Sequence, residues 1–269
     1  MLEPTRRGRF ADIGDWQRQY AALLTTAEEA AAWVRDGDVL VMSASANWPY
    51  AFDAALTKHL RAIGGRVEVN GLFLPLDTCL MAAENKDLVT FHSNFFSGER
   101  VLAPQGNIQF VPTHLSATGD WQASRHPRVA VITCSAPNEQ GWMSRSLWGS
   151  DVSRRALEQA EVVIVEINDQ LPFFASDGEA HMLFHVSEAD ILLENSRPVA
   201  ETPPVPEYWR GPMLSAFTWP VRSISMALLM DTTLSFRAMF RGSLVHWISF
   251  WQKAGLSRAK SHSRLSPMK

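Results

Sequence analysis

The residues with the most evident chemical potential lie in two polar loops, each directly after an apolar run. Ser135-Ala-Pro137-Asn138-Glu139-Gln140-Gly141 follows the run from Arg128 to Cys134, and Asn168-Asp-Gln170-Leu-Pro172 follows the run from Glu161 to Glu166. Pro fixes a turn dihedral, Asn can bond its own backbone, and Gly lets another chain or a ligand come close. Each loop therefore reads either as a turn or as a binding loop. Parallel sheets bind ligands at the carboxyl ends of their strands, where both loops would lie. His181 and His185, four apart, would share one face of a helix. With Asp177 or Glu179 as a third donor they could hold a metal; otherwise they are two histidines at the edge of an element. Cys134 has no neighbour that would lower its pKa, the setting of an inert buried thiol rather than a nucleophile. GxGxxG, GxxxxGKS/T and GxSxG are all absent from the sequence, which argues against dinucleotide, P-loop and serine-hydrolase sites.

Composition limits what could hold such loops. Of 269 residues, 46% are hydrophobic and 10% aromatic, enough for a buried core and against wholesale disorder. Cys79 and Cys134 are the two cysteines, too few and too far apart for a disulfide scaffold or a CxxC zinc site. No apolar run reaches the roughly 18 residues of a membrane span. The opening Glu3, Arg6, Arg7 and Arg9 lead into no apolar segment, so no secretory signal is expected and a cytoplasmic protein is.

Charge divides the chain near Pro206. Residues 1–206 carry a local net of −10, whereas 207–269 set nine basic residues against Glu207 and Asp231, a local net of +7. A basic arm for nucleic acid or an anionic membrane is usually polar with clustered charge. This segment instead holds Trp209, Trp219, Trp247 and Trp251 with five methionines. Neither a nucleic acid nor a membrane is expected as partner. The alternative reading is a segment translated from a shifted frame, and poor order is expected beyond about residue 207.

The elements that would position the loops alternate. Apolar positions Trp16, Tyr20, Leu23 and Leu24 have helical spacing over 15–24. Thr-x-x-Glu at 25–29 is a capping box for a helix through about Arg35, which Gly37 is placed to end. Asp38 to Ser43 reads as a strand buried on both faces. A helix starts near Pro49 and stops at Gly64-Gly65, with strands over 66–70, 107–111, 128–134 and 161–166. Ser150 or Asp151 would cap a helix running to about Ala160. The expected fold is α/β, a mainly parallel sheet with helices on both faces over 1–206. Pro198, Pro203, Pro204 and Pro206 mark a boundary before an atypical tail over 207–269.

Several segments together resemble the acetyl-CoA hydrolase/transferase family, which includes acetate and 4-hydroxybutyrate CoA-transferases. They are Trp16…Tyr20 before Thr26-Ala-Glu-Glu-Ala, the Gly37-Asp38-Val-Leu-Val strand, Asn94-Phe95-Phe96-Ser97-Gly98, and Gly106-Asn-Ile-Gln-Phe-Val-Pro112-Thr-His114-Leu115-Ser116. The Ser135…Gly141 loop, Glu166-Ile-Asn168-Asp-Gln170-Leu-Pro172 and Val186-Ser-Glu-Ala-Asp190 follow in the same order. The likeness runs from about Asp15 to Pro206, the first half of such enzymes.

The resemblance implies two similar α/β domains that move CoA between an acyl-CoA and a carboxylate such as acetate. A glutamate attacks the thioester to give an acyl-glutamyl anhydride and then a glutamyl-CoA thioester, a covalent route that divides a difficult exchange. Backbone donors stabilise the oxyanions. CoA thioester is then a substrate, with no tightly bound cofactor and no metal. Asn94, Phe95, Gly98, Ser135, Asn138, Gly141 and Asn168 are the substrate-binding candidates. The glutamate and most CoA contacts belong to the second domain, so no residue of this chain takes the catalytic role. Glu99, Glu139 and Glu166 are carboxylates in or near matching segments but not at the nucleophile's place. The loop Ser43-Ala-Ser-Ala-Asn-Trp48-Pro49 departs from the family, where glycines tend to follow the strand. The expectation is an inactive first half. The alternatives are a subunit completed by a partner polypeptide or homo-oligomer, and a phosphosugar isomerase or sugar-sensing domain.

Overall fold

The apolar runs become strands. The computed structural model describes residues 15–199 apart from 97, 150 and 175–181. Nine strands occur among them: β1 (Val39–Met42), β2 (Val67–Gly71), β3 (Val89–Ser93), β4 (Ile108–Phe110), β5 (Val129–Cys134), β6 (Trp142–Ser144), β7 (Val162–Ile167), β8 (Leu183–His185) and β9 (Ile191–Glu194). Seven of them pair in one parallel sheet of order β4-β3-β2-β1-β5-β7-β9. β6 and β8 pair antiparallel in a small second sheet, with Trp142 opposite His185.

Helices cover both faces. Successive residues of a strand face opposite ways, so Leu40, Met42, Val67, Val69 and Phe91 meet α3 (Tyr50–Ile63) through Phe52, Leu56 and Leu60. Val41, Ala130, Ile132, Val163 and Val165 face the other way, toward α5 (Arg154–Gln159) and its Ala156 and Leu157. Burying each Leu or Phe contributes about 1.5–3 kcal/mol. β5 and β7 are buried at every residue, as central parallel strands require.

Local signals account for most boundaries. α1 (Trp16–Leu23) matches the expected helix. Thr26 and Glu29 form the expected capping box of α2 (Ala27–Ala31). That helix ends at Ala31 rather than near Arg35, because Trp33 and Val34 bond back only three residues, to Ala30 and Ala31. Gly37 and Gly64 take the left-handed conformation at φ 80° and 63°, one before β1 and one after α3. α4 (Thr118–Ser124) precedes β5.

Three further differences stand out. The cap of α5 is Ser153, whose hydroxyl accepts from the Ala156 N–H, and not Ser150 or Asp151. The Asp151 carboxylate is committed elsewhere, and residue 150 lies outside the described set. β3 and β9 were not anticipated: β3 alternates apolar and polar positions, so it lacks the continuous run that marked its neighbours. His185 ends a strand instead of sharing a helix face. Its Nδ1 lies 2.8 Å from the Ser187 hydroxyl and its Nε2 3.0 Å from the Gln140 carbonyl oxygen. His181, Asp177, Glu179 and the segment 207–269 lie outside the described residues. Among the described residues, no group of three His, Cys, Asp or Glu could hold a metal, and no helix is long and apolar enough to cross a membrane.

Candidate substrate site

Strand order locates the switch point of the sheet. From β1 the chain builds outward through β2, β3 and β4, then crosses back to β5 and builds the other way through β7 and β9. The order reverses between β1 and β5, and open α/β sheets generally bind ligands beyond the carboxyl ends of strands at such a point.

The backbone there is strained. Ser45, Phe73 and Ser146 have φ near +50°, a left-handed conformation that is unfavourable for residues with a Cβ. The three come from the loops after β1, β2 and β6. Ser45 donates its N–H to the Phe73 carbonyl at 3.0 Å. Such strain persists where surrounding contacts enforce it, and it gathers at functional sites.

A buried polar network enforces it here. The Arg145 guanidinium meets the Asp151 carboxylate at 3.3 Å, both side chains being almost wholly buried. Asp151 also accepts the backbone N–H groups of Ala44 and Val152. The Asn47 side-chain amide donates to the Arg145 carbonyl at 2.6 Å. The loop after β1 is thereby locked to the loop after β6. Breaking such a pair leaves a buried charge uncompensated, at about 3–5 kcal/mol.

Three rings from the loops after β2, β3 and β6 pack together at this edge. Phe73 stacks on Phe95 at 4.3 Å between centroids and packs tilted against Trp148 at 4.8 Å. Phe95 is 47% exposed, so the stack ends in solvent. Beside it, Asn94 is buried and donates to the Thr113 hydroxyl at 3.1 Å. Its Oδ1 has no hydrogen-bond partner. Gly98 opens the 3-10 turn that follows.

The remaining sequence candidates build loops. The Ser135 hydroxyl accepts the Ser144 N–H at 3.0 Å, and its own N–H donates to the Ser144 carbonyl, tying β5 to the second sheet. Asn138 accepts from the N–H groups of Gln140 and Trp142, closing the turn. Gly141 has φ 83°, and a Cβ there would lie 2.6 Å from Trp16 Cγ and 2.8 Å from His185 Nε2. The close approach it permits is to side chains of its own chain. Asn168 accepts from Gln170 and Arg197 and donates to the Arg197 carbonyl.

The carboxylates near this edge are also occupied. Glu166 accepts from the N–H groups of Ala51 and Phe52 in the first turn of α3, and from the Asn195 amide at 2.7 Å. Burial pushes its pKa up against those bonds. Asp53 accepts from the N–H groups of Cys79 and Leu80, and burial raises its pKa to about 6. Glu99 is fully buried and accepts from the Ser93 hydroxyl at 2.8 Å. Asp77 accepts from the Tyr50 hydroxyl and from Arg197, whose guanidinium lies 3.4 Å from the centre of the Tyr50 ring. Burial and that bond raise the Tyr50 pKa to about 12. Burial likewise pushes the Cys134 thiol up to about 12, which leaves it protonated at neutral pH.

Phe73, Trp148 and the Arg145–Asp151 pair were not among the sequence candidates. A left-handed backbone at a non-glycine residue leaves no compositional trace. Trp148 carried the one available signal, a tryptophan in a loop just ahead of a helix cap.

Strand order and helix placement define a doubly wound α/β domain with an aromatic cluster beside its switch point. Residues 8–203 match the acetyl-CoA hydrolase/transferase N-terminal domain, and the chain belongs to that family. It is 27% identical over 190 residues to butyryl-CoA:acetate CoA-transferase of Anaerostipes caccae, covering 68% of this chain and 41% of that protein. It is 25% identical over 202 residues to 4-hydroxybutyrate coenzyme A transferase of Clostridium kluyveri, covering 71% and 44%. Among solved structures, RipA from Yersinia pestis superposes with a TM-score of 0.64 at 26% identity, over 70% of this chain and 46% of that one. The chain thus spans less than half the length of the curated relatives it matches.

Proposed function

We propose that this chain supplies the acyl-binding half of a CoA-transferase and carries no nucleophile for the reaction. Its substrates would be an acyl-CoA and a small carboxylate such as acetate. The attacking glutamate and most CoA contacts would come from a second half, on another polypeptide.

The carrying observation is the state of the three glutamates in or beside the family segments. A nucleophile must stand about 3–3.5 Å from the acyl carbonyl in a productive pose. Glu166 is sealed under α3 with both oxygens engaged, and Glu99 is buried against Ser93. Glu139 is exposed on a turn, where its backbone carbonyl accepts from the Trp16 indole N–H and, among the described residues, no hydrogen bond orients its carboxylate. Of the seven binding candidates, Phe95 and Asn94 would touch substrate, and Asn94 Oδ1 would accept a ligand N–H. Gly98, Ser135, Asn138, Gly141 and Asn168 would hold the surrounding loops.

The test is acyl exchange between acetyl-CoA and a second carboxylate, with thiol release followed in parallel. The chain alone should give the buffer rate. Turnover by the chain alone would overturn the reading; turnover only after a second polypeptide is added would identify the partner.

A further inference from the structure

We infer that the outer edge of β4 pairs with the same edge of a second copy of this chain, giving a two-fold symmetric dimer in which the two sheets run on as one. β4 is separated from β1 by β2 and β3, so this surface and the acyl-binding reading stand or fall separately.

The two ends of the sheet differ. At β9, Leu24 bridges Leu192, the Thr25 N–H donates to the Leu192 carbonyl at 2.9 Å, and the Tyr20 hydroxyl donates to Glu194. α1 and the turn after it thus close that edge. β4 pairs, among the described residues, on its β3 side alone. The Asn107 carbonyl accepts from Phe91 and the Val111 N–H donates to Ser93, and a parallel ladder uses alternate residues. The N–H and C=O groups of Ile108 and Phe110 therefore point outward, a template for another strand. Natural sheets commonly guard such an edge with charge. Here no Asp, Glu, Lys or Arg occurs from Val101 to Gly119, in a chain that is 20% charged. Val101, Phe110 and Leu115 are exposed on β4 and the turns beside it, with Phe110 stacked on Phe96 at 5.7 Å between centroids.

Two copies of this edge satisfy each other. Run antiparallel about Gln109, Ile108 exchanges both outward backbone bonds with the partner's Phe110, and Phe110 does the same with the partner's Ile108. Side chains directly opposite share a face. Phe110 then meets the partner's Ile108 on one face, and Gln109 meets the partner's Gln109 on the other, where each amide both gives and accepts. The uncharged run brings no like charges together, a condition that a self-pairing surface has to meet. Pro104 and Pro112 bound the strand, which keeps the pairing short. With the β9 edge closed, assembly stops at two copies instead of growing into a fibre.

The experiment is sedimentation velocity on the full chain over a range of concentrations, with hydrogen exchange of the peptide that spans β4. The parent should dimerise, and protection of β4 should rise with the fraction of dimer. Gln109→Glu sets two carboxylates opposite each other at the axis and should weaken the dimer at least about tenfold. Gln109→Lys should do the same alone, and an equimolar mixture of the two variants should restore a heterodimer. Circular dichroism and thermal unfolding of each variant separate lost pairing from lost fold. A parent that stays monomeric, a dimer that Gln109→Glu leaves intact, or folded variants whose mixture does not reassociate would each overturn the inference.

Discussion

Glu166 accepts the backbone N–H of Phe52 at 3.0 Å, joining the end of β7 to the first turn of α3. The amino end of a helix attracts anions because its first N–H groups lack partners and its dipole is positive there. In many α/β proteins a phosphate takes that place. Here a side chain of the same domain occupies it. Removing the carboxylate strands the N–H groups of Ala51 and Phe52 and the amide of Asn195. Glu166→Ala should therefore lose about 3 kcal/mol in urea unfolding, with Glu166→Gln losing roughly half of that because one acceptor survives. A Glu166→Ala chain as stable as the parent would remove the anchoring role.

Asp53 gives a pH signature. Its folded pKa, about 6, lies above its ordinary value of 3.8 because burial disfavours the charge. A group raised in this way lends stability that is complete below its unfolded pKa and is lost as pH rises through its folded pKa. Glu166 is shifted in the same direction. The unfolding free energy should fall as pH rises from 3.8 to about 6, and Asp53→Asn should flatten that fall. Asn offers one acceptor oxygen where Cys79 and Leu80 use two, so the variant should start from lower stability. A pH dependence equal in both chains would contradict the assignment.

Gly141 is set by contact as much as by conformation. A Cβ there would press on Trp16 and His185 while the backbone stays at φ 83°. Gly141→Ala should destabilise by about 3 kcal/mol, strain and overpacking together. It should also free the Trp16 indole, now 3.1 Å from the Glu139 carbonyl, with a red shift in tryptophan emission. An unshifted spectrum would show that α1 does not depend on this contact.

Ser45 tests the strain at the switch point. Ser45→Gly should relieve about 1 kcal/mol of left-handed strain, offset in part by the greater freedom of glycine in the unfolded chain. The net change in thermal unfolding should be small and not destabilising. A loss above about 1 kcal/mol would mean that the serine side chain, and not its backbone, holds the loop.

How much of this was legible in the residues depended on the kind of force. Continuous apolar runs gave β1, β5 and β7, because a strand buried on both faces cannot hide its pattern. Thr26 and Glu29 announced α2, since a capping box is local chemistry. β3 was missed because Thr90 and His92 interrupt its run, and those side chains face a polar strip where Glu68 and Asn70 bond His92 and Arg125. The loops carrying Ser135, Asn138 and Asn168 were found from turn chemistry. The aromatic cluster was not: Phe73 and Trp148 meet only through long-range packing, and the Asp151 bond to Ala44 spans the whole first half of the sheet in sequence.

The most direct test of the central claim is intact-mass spectrometry of the chain after incubation with acetyl-CoA, followed by peptide mapping. A CoA-transferase nucleophile accumulates a glutamyl-CoA thioester, so the adduct reports the attacking residue without turnover. The account predicts an unmodified mass for the chain alone. A CoA adduct mapped to Glu99, Glu139 or Glu166, and lost on substitution of that glutamate by Gln, would contradict it.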